Sequence, residues 1–378
     1  MTGAADEVAA RVVLARVAEP GDGEMGRWLE RVGAPRAVEA LAGGRCPLRR
    51  AEAYLARFAR ADADADLTRA AALGARAVVP GDPGWPTQLD DLGPTRPILL
   101  WTRGPVDLRL SALCSVAIVG SRAATRYGED VAVDLAAGVA SAGWTVVSGG
   151  AYGIDAAAHR GALAVDGITI AVLANGIDTV YPRGNDSLLS RVLDAGLLVT
   201  ELGPGEHPTR SRFLERNRVI AALSRATVVV ESARRSGALN TAARAGDLGR
   251  LVLAVPGPVT SATSAGSHAL LRDQRAALVT GAPDVLELVA PLDAAADRRG
   301  SEHDSAERLE TVRELDRLGP DLKAVHASLG SRRPRDAEDI AIRAGVPAAA
   351  VLGLLGELGL RGLAVRVEGG WRVVRQGA

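Results

Sequence analysis

The stretch Val116-Ala-Ile-Val-Gly-Ser-Arg-Ala-Ala-Thr-Arg-Tyr-Gly128 decides the fold. Its first four residues are apolar without polar alternation, the signature of a strand buried on both faces of a parallel sheet. The strand runs into a glycine-bounded loop, and an alanine-rich helical pattern follows from about Glu129. Strand, loop and helix in that order make half of a βαβ unit. The same texture recurs at 145–147, 168–173, 197–200, 227–230 and 251–255. Six such strands joined by right-handed crossovers predict an α/β fold: a Rossmann-like, doubly wound, mainly parallel sheet with its ligand at the carboxyl ends of the strands.

Outward from this core, residues 12 to about 73 are rich in alanine and leucine at helical spacing, broken at 19–24 and at Gly43-Gly44. Residues 1–78 therefore read as an N-terminal helical domain. The 79–290 domain begins with a proline- and glycine-rich stretch, 79–114, read as an extended connector over its surface, with Trp85 and Trp101 as anchors. The polar segment 291–305 reads as a linker. Beyond it, helices are expected at 309–318, 322–329, 336–344 and 348–358, then a hairpin of 363–367 and 371–374 around Gly369-Gly370. A helix-turn-helix followed by a wing predicts a winged-helix domain over 306–378.

None of the apolar runs in the 378 residues approaches the eighteen or so needed to span a bilayer. Asp6, Glu7, Arg11 and Arg16 interrupt any signal-peptide core, so a cytoplasmic protein without membrane contact is expected. Cys46 and Cys114 stand far apart without a CxxC motif or histidine pair, which suggests neither a disulfide framework nor a metal site. Formal net charge is zero, yet 206–250 holds nine arginines against four acids, a local excess of five positive charges. Lys323 is the sole lysine and lacks the preceding glycine of a Walker A loop, which argues against a P-loop nucleotidase or a Schiff-base enzyme.

The loops after the strands carry the candidate site. In Gly120 to Gly128, free backbone N–H groups and a helix amino end converge around Gly120 and Ser121, and Arg122 offers a bidentate phosphate contact. Ser148-Gly-Gly-Ala-Tyr-Gly-Ile-Asp155 supplies Ser148, Gly149 and Gly150 for close backbone approach, and Asp155 is placed to cap the next helix. Neither loop matches GxGxxG, so no dinucleotide cofactor is expected. Asp155 and His159 stand at i, i+4, but no nucleophile accompanies them, and cap and packing roles are expected rather than catalysis. Asn175, beside Gly176, suits a turn that shapes the cleft. The basic stretch 207–220 is expected to present Arg210, Arg216 and Arg218 to the cleft, with Arg212 paired to Glu215 or in solvent. Ser236 and Gly237 open the helix of the fifth loop. Tyr127, Tyr152, Tyr181 and Phe213 each follow a different predicted strand and can surround one cleft. Stacking aromatics with an arginine-lined groove describe single-strand binding without sequence readout.

As an ordered series, GSRxxTxYG at 120–128, SGGAYGID at 148–155, NGIDxxYP at 175–182, RFxxRNRVI at 212–220, SGxLxTA at 236–242 and AVPG at 254–257 resemble the DNA-processing protein A family, DprA or Smf. The family also carries N-terminal SAM- or helix-hairpin-helix-like domains and C-terminal winged helices. The resemblance implies a homodimer, joined through its Rossmann-like domain, that binds and protects single-stranded DNA in natural transformation and loads RecA recombinase onto it. It implies neither catalysis nor a cofactor. By position, Arg122 matches the GSR arginine, Arg210 the basic residue three before the family's phenylalanine, Phe213 that phenylalanine, and Arg216-Asn217-Arg218 the RNR element. These are the DNA contacts the resemblance implies. The chain departs from the pattern at Leu214, where proline is common, at Asn240, and at Ser267-His268.

Two rival readings stand beside this one. A nucleotide-processing phosphoribohydrolase would also lay a glycine loop over phosphate, but its PGGxGTxxE motif is absent, and His159 and Arg160 stand near where its glutamate belongs. A winged-helix regulator of duplex DNA would use 348–358 as recognition helix, yet Ala348, Ala349, Ala350, Val351 and Leu352 offer no base-reading side chain.

Overall fold

The computed structural model describes residues 2–290, 318–329, 334–367 and 369–373. The linker expected at 291–305 and nearly all of the helix expected at 309–318 lie outside the described residues. The chain forms two compact units, one ending at Val289 and the other starting at Ala290.

The first unit opens with α1 (Thr2–Val17), α2 (Gly23–Val32), α3 (Ala34–Ala42), α4 (Ala51–Phe58) and α5 (Ala63–Ala72). Asp22 caps α2 by accepting from the Glu24 and Met25 amides, and Asp62 caps α5. Helix α1 faces two ways. Leu14 and Val17 join Met25, Trp28 and Leu41 in a helical core, whereas Val12 packs with Ala70, Leu99 and Trp101 against the sheet.

The α/β part follows as β1 (Ala75–Val78), a 3-10 stretch (Thr87–Thr95), β2 (Leu100–Arg103), α6 (Leu108–Leu113), β3 (Ser115–Val119), α7 (Arg126–Ser141), β4 (Thr145–Ser148), α8 (Ile154–Ala164) and β5 (Thr169–Val172). It continues through α9 (Asp186–Ala195), β6 (Leu197–Thr200), α10 (Arg210–Leu223), β7 (Ala226–Val229), α11 (Gly237–Asp247), β8 (Leu251–Ala254), α12 (Ala265–Arg272), β9 (Ala277–Leu278) and α13 (Ala282–Val289). One sheet results, in the order β1-β2-β6-β5-β4-β3-β7-β8-β9. Every ladder from β6 to β9 is parallel, and β2 alone pairs antiparallel, with β1 and β6.

All six predicted strands are present, and the sheet is wider than predicted at both edges. Part of 79–114 is therefore not a surface connector: Trp101 is 1% exposed in β2, opposite Thr200 of β6. Four-residue strands among prolines leave no periodicity to read. Within the sheet, Ala117, Val119 and Val147 face α6, α10 and α11, while Val116, Ile118 and Val146 face α7, α8 and α13. From β3 the chain winds outward to β6, then returns to lay β7 on the other flank of β3. Such a reversal parts the loops and leaves a crevice at the carboxyl ends of the strands.

The second unit contains α14 (Pro320–Ser328), α15 (Ala337–Ala344), α16 (Ala348–Leu360) and a hairpin of β10 (Ala364–Val367) and β11 (Gly370–Val373). Gly345, at φ +66°, ends α15 in the left-handed conformation that glycine favours. Val325, Ile340, Val351 and Leu355 form its core. No single helix among the described residues is long and apolar enough to cross a membrane.

Candidate nucleic-acid interface

A cleft of about 750 Å³ opens at the β3/β7 reversal. Gly120, Ser121 and Arg122 line it after β3; Arg210, Phe213 and Asn217 along α10; and Arg235, Ser236 and Gly237 at the start of α11. Asp155 and Arg216 also line it. A smaller hollow adjoins, lined by Gly149, Gly150, Tyr152, Tyr181 and, again, Arg122 and Phe213. Helical spacing puts 210, 213, 214 and 217 on one face of α10. The Thr209 hydroxyl caps α10, accepting from the Arg212 amide at 3.3 Å, and Ser236 caps α11, accepting from the Ala238 amide at 3.2 Å. Two helix amino ends thus border the cleft, and their dipoles favour an anion there.

Arg122, Arg210 and Arg235 form no salt bridge among the described residues, and Arg122 acts on the Asp155 carboxyl of the same cleft only at longer range. The Arg122 guanidinium lies 4.7 Å from the centre of the Phe213 ring, and Tyr181 meets that ring at 5.9 Å. Cation–π and tilted aromatic contacts hold Phe213 as a platform. Around the cleft, Tyr152 and Tyr181 are 49% and 42% exposed.

The buried side of the cleft is more tightly committed. Arg216 is 6% exposed, and its Nη1 donates to Gly149 O at 3.0 Å and to Val172 O. Burial pulls its pKa down to about 10 against the attraction of Asp155, with Arg122 adding to the fall, so it stays cationic at neutral pH. Burial raises the Asp155 carboxyl, opposed by Arg216 and by the Ala151 amide, which donates to it at 3.4 Å. Gly153, not Asp155, occupies the cap position of α8. Burial, then Arg216, push His159 down to about 3; its Nδ1 sits 2.7 Å from Thr169 Oγ1. His159 is a neutral packing residue.

Residues 76–290 match the family model described as DNA recombination-mediator protein A, and 310–370 match the DprA winged helix domain. The chain is 44% identical over 375 residues to the putative DNA processing protein DprA of Mycobacterium tuberculosis, covering 97% of this chain and 94% of that protein. It belongs to the DNA recombination-mediator protein A family. The X-ray structure of DprA from Streptococcus pneumoniae is similar at a TM-score of 0.62 and 33% identity, over 73% of this chain and 95% of that one. A Helicobacter pylori DNA processing protein A structure, described for its single-stranded DNA binding mode, matches at 0.52 and 26% identity, over 57% and 95%.

Within this DprA-family chain the RNR element divides. Asn217 lines the cleft while donating to Gly237 O at 3.2 Å, which ties α10 to α11. Arg218, expected to face the cleft, does not: it is 1% exposed and forks onto Glu201 at 2.6 and 2.7 Å, because β6 brings that acid beneath it. Arg212 pairs with Glu19 and Glu206 rather than Glu215. Ser148 is buried and donates to Ile118 O at 2.7 Å. Asn175 is also buried, bonded to Gly176 O and Thr179 O in its own loop, where it holds the turn.

The glycine loops serve packing more than the expected backbone cradle. At Gly149 a Cβ would fall 2.3 Å from the Arg216 guanidinium; at Gly120 it would fall 2.4 Å from Ile154. The Ser121 amide already donates to Glu231 O at 2.7 Å. Tyr127 donates to Pro256 O at 2.7 Å and does not line the cleft. Arg235, not among the residues expected from the sequence, also lines the cleft; its signals there are its place among the nine arginines of 206–250 and its adjacency to Ser236-Gly237.

Proposed function

We propose that this DprA-family protein binds single-stranded DNA in the β3/β7 cleft, with Arg122, Arg210 and Arg235 on the phosphates and Phe213, flanked by Tyr181, under a base. The observation that carries this is the set of three arginines without a carboxylate salt bridge around one aromatic pair, between two helix amino ends. A mononucleotide needs no such spread of cations, whereas a polymer backbone does. His159 is a buried packing residue on Thr169, and Asp155, which lines the cleft, faces Arg216 and accepts from the Ala151 amide, an arrangement that supports binding rather than chemistry. Family membership supports the remaining parts of the reading: a homodimer joined through the Rossmann-like unit that protects incoming DNA in natural transformation and delivers it to RecA.

Gel shifts of single- against double-stranded DNA at two salt concentrations test it. Single strands are expected to bind more tightly, and Arg122→Ala and Arg210→Ala each to lower the log–log salt slope by about 0.7, the loss of one phosphate contact. Unchanged affinity in both variants would sink the assignment of this face.

A further inference from the structure

We infer that the N-terminal helices position the DNA-binding wall of the cleft through Arg16 and Glu206, two residues that touch no DNA themselves; this rests on the reading above. Arg16 lies on α1. Its Nε and Nη2 donate to the two Asp66 carboxylate oxygens at 2.6 Å each, and its Nη1 donates to Glu206 Oε1 at 2.7 Å. The other Glu206 oxygen accepts from Arg212 Nη1 at 2.7 Å, and Arg212 Nε donates to Glu19 at 3.0 Å. One continuous chain of charges therefore runs from α5, through α1 and the β6–α10 loop, into α10 and back to the segment after α1.

The network holds the loop where it matters. Arg16 Nη2 also reaches Pro204 O at 2.5 Å, so the same guanidinium grips the loop backbone and its acid. Glu206 stands three residues before Thr209, the cap of α10, and four before Arg210, and both of those line the cleft. The side chains of Arg16, Asp66, Arg212 and Glu206 are 20%, 3%, 14% and 26% exposed, so water competes little along the Asp66–Arg16–Glu206–Arg212 run, whereas Glu19, at 49%, is open to it. Arg212, one of the charges that made 206–250 look basic, is engaged by two acids and is a strut of the wall rather than a phosphate ligand. The N-terminal helices are then part of the groove's construction and not an appended module.

The test uses the full chain, with Arg16→Met, Arg16→Lys and Glu206→Gln, and reads single-strand affinity across salt together with amide hydrogen exchange. Arg16→Met is expected to weaken binding roughly three- to tenfold, the scale of coupling between contacting residues. Its salt slope should equal the wild-type slope, because no phosphate contact is lost. Exchange should rise locally over 206–213, and Arg16→Lys, which keeps the charge, should recover part of both effects. Unchanged exchange over 206–213 overturns the inference, as does unchanged affinity or a slope lowered by about 0.7, which would make Arg16 a direct ligand. Should Arg16→Met fail to fold, Glu206→Gln weakens the same link from the loop side with the α1 core intact, and the same criteria apply. A wild-type chain without single-strand affinity would refute the proposed function instead, while the exchange readout would still decide whether Arg16 holds the loop.

Discussion

Arg218 separates the scaffold of the cleft from its ligands, and removing it gives the most discriminating perturbation. Its guanidinium forks onto Glu201 and its Nε donates to Thr95 O at 2.9 Å. Arg218→Met leaves the Glu201 carboxylate, 10% exposed, without its counter-charge. Breaking a buried pair from one side costs about 3–5 kcal/mol. The unit runs from Met1 to Val289; at about 2.1 cal/mol/K of unfolding entropy per residue, about 1 kcal/mol moves its Tm by roughly 1.6 °C, so thermal unfolding followed by circular dichroism should shift down by about 5–8 °C. Arg218→Met combined with Glu201→Leu removes both charges, and exchanges of that kind are often neutral or stabilising. The double variant should regain most of the lost stability. It should also bind single-stranded DNA with the wild-type affinity and salt slope, since Arg218 contacts only protein. A folded double variant with a slope smaller by about 0.7 would show that Arg218 meets a phosphate, and the division of the RNR element would be refuted.

Three further outcomes are expected. Phe213→Leu should weaken single-strand binding by about 1–3 kcal/mol with the salt slope unchanged, as loss of one stacked base requires; fluorescence titration with wild-type affinity would remove Phe213 from the interface. His159, held near 3 when folded against about 6.5 when unfolded, takes up its proton first in the unfolded chain. Stability should therefore fall by up to about 1.4 kcal/mol per pH unit as pH drops below about 6.5, and denaturant titrations of His159→Gln should show a smaller loss between pH 7 and 4.5; parallel curves count against a buried neutral imidazole. Gly149→Ala pushes a methyl against the Arg216 guanidinium, which its two carbonyl partners hold in place, so a loss of about 1–3 kcal/mol is expected in chemical denaturation. A variant as stable as wild type would mean that Arg216 yields freely.

The parallel core was legible because each β3-to-β8 segment combines a short apolar run with a following helix, two signals that agree locally. Strands β1 and β2 flank a proline- and glycine-rich stretch and β9 spans only two residues, so each gives too little pattern to read, and their existence depends on neighbours that only the folded sheet supplies. The winged-helix unit was legible for the opposite reason: Gly345 and Gly369-Gly370 punctuate strong helical and hairpin patterns. Arg122, Arg210 and Phe213 line the cleft as expected because each stands in a loop or helix start at a strand's end. Arg218 and Ser148 were misplaced because their partners, Glu201 and Ile118, are 17 and 30 residues away.

That distance is the general reason why charge density along a sequence overstates an anion-binding face. Of the nine arginines in 206–250, Arg212, Arg218, Arg244 and Arg250 pair with carboxylates, and three of those four draw on Glu19, Glu201 or Asp91 from outside the window. Arg216 is held by carbonyls, and Arg225 lies over Trp144 and donates to Leu113 O at 2.9 Å. Arg210, Arg234 and Arg235 are left with no carboxylate partner among the described residues, and two of them line the cleft. With Arg122 they make a groove of about three cations, enough for a single-strand salt slope near −2. A measured slope of −5 or steeper would mean that the arginines counted here as scaffold rearrange on binding, and that the resting network around Arg16, Arg212 and Arg218 opens to admit DNA.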